Sequence, residues 1–577
     1  MSISGTLLDR WRAVSESSAA RQGARLWMLA ALGTLLVVSL TLRVVALDWG
    51  IPEYDPDLLR RSLYRQSYHM DEDNILWALM QMRPAEGNFD IKDYHWGSLQ
   101  HYLVYGALLV GSAVGVVPAP WEEAFRQGDA EALRRFYILG RLVSVMAGVS
   151  ATLIVFVLAS MLAGHMAGMA AGAAYALSPL AVVEAHYLTN DVTMSAFVAA
   201  SVLASVLALR SPQPDGAELQ PNRETRLRLW WLLLAGLLLG LGIAAKYSAL
   251  FAAPSLAVAQ WAAWRAENFV KGWRVHLGVL VLPWLAVVGG FLLGEPYALL
   301  APDSLLAGLR YTSDGNTINL NNGLGPIIEM LAWQGRYLAE LGLTWPLACI
   351  ALAGLGVMLW RILAQLRLRS SRQPEPGNQS ARKTSYIVLL AAIVGLVLGL
   401  ALNRVPMLRY TQPLIPLLCV AAGIGWAAVP SRILRGVAGA IAIAVAGVIT
   451  LGQLSLMDGP HPADELSAWM RAHLKEGQVV ARLWPEYPLL DEERYRLIRL
   501  DPWWPSLAPG ERPDYIILDD MQLGPGDPQL TELVARDYEQ VAIFQAQPRI
   551  GGFTWSEGTT PHDWKYSHPT LVVYARR

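Results

Sequence analysis

Charge is what this 577-residue chain has least of. Only 16% of its residues are Asp, Glu, Lys or Arg, where soluble domains carry about 25%, and 54% are hydrophobic. That balance excludes a soluble enzyme and implies a polytopic membrane protein. An excess of one sign is missing too: 46 Lys and Arg stand against 47 Asp and Glu, a formal net charge of -1, so no basic face for nucleic acid is expected. Cysteine is almost absent. Cys349 and Cys419 both lie in apolar runs, which excludes a disulfide framework and a cysteine metal centre. No 20–50-residue repeat of the solenoid type is visible. A cleavable leader is not expected either. Arg10, Arg12, Arg21 and Arg25 precede an apolar run that extends to Leu47, too long for a signal peptide core and without a small-residue cleavage site.

What is present is a series of apolar runs of spanning length or nearly so, at 27–47, 99–118, 137–161, 166–183, 191–209, 230–245, 247–262, 276–294, 344–363, 386–402, 412–428 and 436–455. A span needs roughly 20 residues. If all of them crossed, the basic loops at 210–229, 265–274, 361–383 and 432–435 would fall outside, against the bias that keeps Lys and Arg in the cytoplasm. One early run therefore does not cross. The run 99–118 is the best candidate, because it sits between polar stretches and opens with Gln100, His101 and Tyr102; an interfacial or re-entrant helix there restores the bias. The expected architecture is an α-helical polytopic membrane protein with about 11 transmembrane helices and the N-terminus inside. The runs 230–245 and 247–262, divided only by Lys246, are expected to form a hairpin.

Beyond about residue 458 the pattern changes. Asp464 to Leu474 reads as a helix, 479–481, 515–518, 541–544 and 571–574 as short strands, and Leu530 to Tyr538 as another helix. The expected division is a membrane domain at 1–457, with a first outer loop at 48–136, and a small α/β domain at 458–577 outside the membrane. The stretch 372–380 reads as a cytoplasmic linker.

The most informative stretch is Met70-Asp71-Glu72-Asp73, acids just beyond the first apolar run. Ionisable residues beside spans mark functional sites by default, although acids also serve helix starts. In this topology Arg43, Arg141, Lys246, Arg404 and Arg409 also lie near the outer face. A half-buried cation there needs an anionic partner, which a lipid phosphate or the acidic cluster could supply; the competing reading of each is interfacial snorkelling or a structural salt bridge. Asp191 is a partner for one of these cations or a metal ligand with Asp71. His186 and Tyr187 are candidates for hydrogen bonding to a sugar or phosphate, or interfacial aromatics. Trp503-Trp504-Pro505 and Phe553-Thr554-Trp555 suit either core packing or a sugar face.

These features, in order, resemble the GT-C membrane glycosyltransferases, in the branch of protein mannosyltransferases and aminoarabinose transferases that use polyprenyl-phosphate sugars. Arg43 ends the first span; Asp71-Glu72 stands in the place of the family's Asp-Glu pair; Tyr94-His95-Trp96-Gly97-Ser98-Leu99 takes the place of a motif closer to His-Pro-Pro-Leu. Arg141-Leu142-Val143-Ser144, Leu177-Ser178-Pro179-Leu180 through Asn190-Asp191, Gly240 to Tyr247, and Arg409-Tyr410 with Pro413 and Pro416 complete the match over about 27–428. The resemblance implies transfer of a sugar from a polyprenyl-phosphate donor to an acceptor hydroxyl or amine at the outer face of the cytoplasmic membrane. Asp71 is the expected catalytic base and Glu72 its helper, since such a transfer needs a carboxylate on the acceptor and cations on the phosphate. Arg43, His95, Arg141, Tyr187, Asp191, Lys246, Arg404 and Arg409 are expected to bind donor phosphate or substrate. No obligatory metal is expected, and room is left for a divalent cation. The alternative is a transporter or lipid flippase, disfavoured because the ionisable residues gather at one face instead of the midplane and no inverted repeat is evident.

Overall fold

A computed structural model of the chain describes residues 26–51, 67–69, 71–118, 121–210, 221–266, 273–316, 323–369, 377–483, 494–501, 504–521 and 526–577. The arginines at 10, 12, 21 and 25, Trp503 and most of the linker 372–380 lie outside the described residues.

Eight helices among the described residues are long and apolar enough to cross a membrane: Leu26–Val44, Ala130–Ala163, Asp191–Leu209, Thr225–Ala245, Leu277–Gly294, Trp345–Ala364, Ala381–Ala401 and the one that starts at Arg432. Their sequences supply the cause, since Leu- and Ala-rich runs favour helix and every backbone group within lipid must be paired internally. Asp129 caps the second of them by accepting the Ala132 N–H at 3.0 Å. The helices Pro221–Ala245 and Trp273–Gly294 approach so closely that a Cβ on Gly240 would collide with the Val287 carbonyl.

Three of the eleven expected spans depart from simple helices. His165–Ala176 and Pro179–His186 pass the test only together and meet at 63°; the break falls just before Pro179, where the preceding residue resists helical backbone. Leu414–Ala428 has 15 residues, and the 247–262 run becomes a 3-10 turn, Tyr247–Ala252, followed by the 14-residue helix Ala253–Ala266. At about 1.5 Å per residue these short helices reach little over 20 Å, less than the roughly 30 Å hydrocarbon layer. The expected hairpin at Lys246 is thus a break, with extended backbone (φ -155°, ψ 126°). The run 99–118 forms a helix only over Leu99–Ala113, 15 residues, likewise too short to cross unaided.

The C-terminal region holds a five-stranded sheet in the order β2-β1-β3-β7-β4, with β1 Val479–Leu483, β2 Arg496–Leu500, β3 Tyr515–Asp519, β4 Tyr538–Phe544 and β7 Leu571–Arg576. Strands β1, β2 and β3 run parallel, and β7 is antiparallel to both neighbours. β2 and the small hairpin of β5 Arg549–Ile550 and β6 Phe553–Thr554 were not anticipated. Alternation along the strands divides the sheet's two faces. Ala481, Leu483 and Ile516 pack under the helix Pro528–Asp537. Val480, Ile517 and Val573 join the core that continues into the membrane helices. The sheet is therefore fused to the bundle along one apolar face.

Candidate functional site

The site is assembled where helices stop. Asp71 is the residue before the helix Glu72–Gln81; Glu184 lies in the 3-10 turn that ends the bent pair; Asp191 opens its helix; Lys246 is the break before Tyr247; Arg409 lies in the 3-10 turn Leu408–Thr411. Irregular backbone at membrane depth is tolerated only where protein buries it or a cavity is lined by it, so these interruptions mark the functional centre.

Two ion pairs form its frame. Arg409 donates from Nη1 to Asp71 Oδ2, with the two side chains 8% and 15% exposed. Lys246 Nζ donates to Asp191 Oδ1 at 2.7 Å. Tyr410 joins the pairs: Lys246 Nζ is 4.9 Å from its ring centre and the Arg409 guanidinium 6.0 Å, within cation–π reach. Burial works against the Asp71 charge, but the Arg409 guanidinium overcomes it and holds the carboxyl below its ordinary range. His69 itself is pushed down to about 4, by burial acting against the attraction of Asp71 and Glu72. Its Nδ1 accepts the Asp71 N–H at 3.3 Å. The proton of this neutral ring therefore sits on Nε2, buried without a protein partner.

The C-terminal region completes the site. Asp563 Oδ2 accepts the backbone N–H of Arg409 at 2.9 Å, and Tyr566 packs its ring on His69 with centroids 4.4 Å apart. Tyr187 also packs on His69, at 4.3 Å, and meets Tyr566 edge-on at 6.2 Å. Arg409 Nε, Asp563 Oδ1, Glu184 Oε2 and the hydroxyls of Tyr187 and Tyr566 are all buried without a protein partner. Glu184 is within electrostatic range of Asp191, Arg409, Asp563 and Lys246. Four carboxylates and two cations thus share one buried centre, and unpaired donors and acceptors of this density suit a polar ligand.

Lys246 and Asp191 also line a cavity of about 130 Å³ with His95, Trp96, Tyr247, Thr312 and Tyr410. His95 is held there by a hydrogen bond to Asp93 and an edge contact with Tyr311 at 4.3 Å. Glu295 holds this wall in place: its Oε2 accepts the Ser98 N–H at 2.5 Å, and Ser98 Oγ donates to the Gly294 carbonyl at 2.9 Å. Burial pushes the Glu295 carboxyl up to about 7, against the pull of that N–H.

Five expected site residues are placed elsewhere. Glu72 and Arg141 form a fully buried pair, Nη2 to Oε2 at 2.7 Å and Nε to Oε1 at 2.9 Å. Glu72 also accepts from the Leu188 N–H at 2.6 Å and from Ser67, and Arg141 Nη1 donates to the Leu47 and Trp49 carbonyls. Both groups are saturated by protein, so they clamp the loop that carries Asp71 instead of assisting it directly. Arg43 spends its guanidinium on the carbonyls of Ser39, Tyr175 and Ala176, where a cation offsets the C-terminal end of a helix dipole. Arg404 is exposed on its loop, apart from the two ion pairs. His186 is likewise occupied, by the Val182 and Val45 carbonyls at 2.8 and 2.9 Å.

Sequence reasoning missed Glu184, Glu295, Asp563 and Tyr566. A signal existed for the first two, each a lone acid at the end of an apolar run. For the C-terminal two, nothing in a short polar and aromatic stretch between strands announces that it reaches the membrane core. Among the described residues no group of three or more His, Cys, Asp or Glu is arranged to hold a metal ion.

Solved structures similar to the chain share little sequence with it. Archaeal oligosaccharyltransferase AglB from Archaeoglobus fulgidus, in complex with an inhibitory peptide and a dolichol-phosphate, is 14% identical with a TM-score of 0.45, over 79% of this chain and 62% of that one. This chain therefore spans less than two thirds of that protein's length. ArnT from Cupriavidus metallidurans, bound to undecaprenyl phosphate, is 13% identical with a TM-score of 0.45, over 95% of this chain and 98% of that one. The protein O-mannosyltransferase complex of S. cerevisiae bound to the sugar donor is 16% identical over 48% of this chain and 34% of that one, with a TM-score of 0.33. No curated protein matches in sequence. Within the chain, residues 104–294 match the family described as dolichyl-phosphate-mannose-protein mannosyltransferase, a stretch that includes Arg141, Asp191 and Lys246 and stops short of Asp71 and Arg409, and over that stretch the chain is similar to this family of membrane glycosyltransferases.

Proposed function

We propose that the chain is a membrane glycosyltransferase that moves a sugar from a polyprenyl-phosphate donor to the hydroxyl or amine of an acceptor, with the site on the outer side of the cytoplasmic membrane. The observation that carries this reading is the pairing of Arg409 with Asp71 beside Lys246 with Asp191 around one tyrosine, at the ends of broken spans. Two cations near one another suit a phosphodiester, whose charge they neutralise as the sugar leaves. The similarity over 104–294 to a family named for a dolichyl-phosphate sugar agrees with it. The divisions at 457 and 458, the hexosyl or pentosyl nature of the donor, and a reaction with no obligatory metal, a divalent cation being optional, are part of the same proposal.

The chemistry follows from the charges. With Arg409 on Asp71, the carboxylate is a weak base. When the donor phosphate engages Arg409 and Lys246, Asp71 loses its counter-charge and its basicity rises toward the ordinary range. It then takes the proton of the acceptor O–H or N–H while the acceptor atom bonds to the anomeric carbon. The bond from that carbon to the phosphate oxygen breaks, and its electron pair leaves on polyprenyl phosphate. A single displacement with one carboxylate inverts the anomeric centre. Asn74, Trp77, Gln81, Lys92 and Asp93 line a hollow of about 220 Å³ on the helix that follows Asp71, a suitable approach for a polar acceptor.

Purified protein incubated with a panel of polyprenyl-phosphate sugars should release free polyprenyl phosphate from one of them, slowly without acceptor. Absence of release across the panel, with transport of an intact lipid instead, would replace this reading by a flippase. Orientation is tested separately: a reporter fused after Pro460 should be active outside the cytoplasm and one fused after Gln213 inside, and the reverse pattern would put the site on the wrong face for an outer-leaflet donor.

A further inference from the structure

The hairpin of β5 and β6 carries exposed apolar side chains, Phe553 at 67% and Ile550 at 38% exposure. Its seat is the end of the helix Arg432–Met457. The Arg549 N–H donates to Ser455 Oγ at 2.9 Å, and Trp555 presses on Gly452, where any Cβ would collide with the indole. On that helix the outward residues are Ile433, Leu434, Val437, Ile441, Val448 and Leu451, all exposed and all apolar. From Ile433 to Leu451 the helix rises roughly 27 Å at 1.5 Å per residue, close to the roughly 30 Å of a hydrocarbon layer. Gly452 and Ser455 therefore lie at the layer's edge, and the hairpin's apolar tip continues the lipid-facing stripe. Aromatic side chains favour this depth.

The hairpin is also wired to the site. Between it and the 3-10 turn His562–Ser567, Glu557 accepts from Gln453 Nε2 at 2.6 Å and from Trp564 Nε1 at 3.2 Å, and meets His568 Nε2 at 2.8 Å. That turn holds Asp563 on Arg409 and Tyr566 on His69.

We propose that the Arg549–Thr554 hairpin is a lipid-interface anchor: Phe553 and Ile550 insert among the headgroups and upper acyl chains, and through Glu557 this keeps the His562–Ser567 turn seated on Arg409. The partner is the bilayer surface. The inference rests on the membrane spans and is independent of the transfer reaction, because neither measurement below uses a sugar donor.

Depth is measured with Phe553→Cys in a Cys349→Ser background, which leaves only the buried Cys419, labelled with an environment-sensitive fluorophore in phosphatidylethanolamine and phosphatidylglycerol nanodiscs. Lipids carrying a quencher near the headgroup should quench this label several-fold more than one at Glu532→Cys, on the exposed side of the helix Pro528–Asp537. Equal quenching at both positions overturns the anchor, and weak quenching at 553 with a dimeric chain overturns it in favour of a second protein copy. Coupling is measured by hydrogen exchange in the same nanodiscs, where Phe553→Asp should speed exchange at 562–567 several-fold while exchange in the spans stays unchanged. Unchanged exchange at 562–567 overturns the link to the site.

Discussion

Asp71 and Glu72 are neighbours in sequence with opposite fates. Glu72 turns inward, meets Arg141 and Leu188, and is sealed; Asp71 stays part-buried, paired with Arg409. Their substitutions should separate accordingly. Asp71→Asn keeps the shape but removes the proton acceptor, so turnover should fall about 10²–10⁴-fold with donor affinity retained, whereas Arg409→Ala should weaken donor binding by about 1.5–3 kcal/mol. Turnover and donor titration on both variants check this; equal loss of affinity in the two would make Asp71 part of a binding network only. Arg141→Ala should act on stability instead. Leaving Glu72 charged and unpaired in the interior costs about 3–5 kcal/mol, visible as a drop in melting temperature, while donor affinity of the surviving folded fraction stays near that of the parent.

At the scale of elements, the breaks between helices position the chemistry, and Glu295 shows how one is secured. It follows the helix that ends at Gly294 and caps the start of the helix Leu99–Ala113 through the Ser98 N–H, fixing the His95–Trp96 wall of the Lys246 cavity. Its folded pKa of about 7 lies above the ordinary carboxylate value. The folded state therefore keeps a proton that the unfolded state has lost between about pH 4.5 and 7, and stability falls as pH rises through that window. Glu295→Gln retains an acceptor oxygen and does not titrate, so its melting temperature should lose this slope and exceed that of the parent above pH 7. Melts at pH 5, 6, 7 and 8 provide the check; an unchanged slope would assign the pH dependence to other groups. Element boundaries were readable where apolar periodicity was long, as at 191–209, where run and helix coincide. They were not readable at Tyr247–Ala252, because a 3-10 turn and a helix draw on the same apolar residues.

For the whole molecule, the consequential finding is that the C-terminal region is packed into the membrane bundle. Its sheet shares a core with the spans, and its 562–567 turn lies against His69 and Arg409. Truncation at Asp458 should therefore abolish turnover and lower the melting temperature sharply, since it uncovers Tyr187, His69 and Arg409 together. A truncated chain that melts like the parent and still binds donor would restore the picture of an independent appendage.

The sequence by itself determined the membrane class, most of the spans, the alternation of the strands, and the short list that contains Asp71, Asp191, Lys246 and Arg409. Those properties are local: hydropathy and periodicity are written in neighbouring residues, and a charge beside an apolar run is conspicuous wherever the chain goes. Only the tertiary structure decided which charges meet. Arg409 lies 338 residues from Asp71, Asp563 lies 154 from Arg409, and Arg141 lies 69 from Glu72. Spacing carries no information about pairs brought together by packing. Burial then separates them, because a carboxylate enclosed by a guanidinium and backbone N–H groups has no free lone pair for a ligand, and one at a cavity edge does.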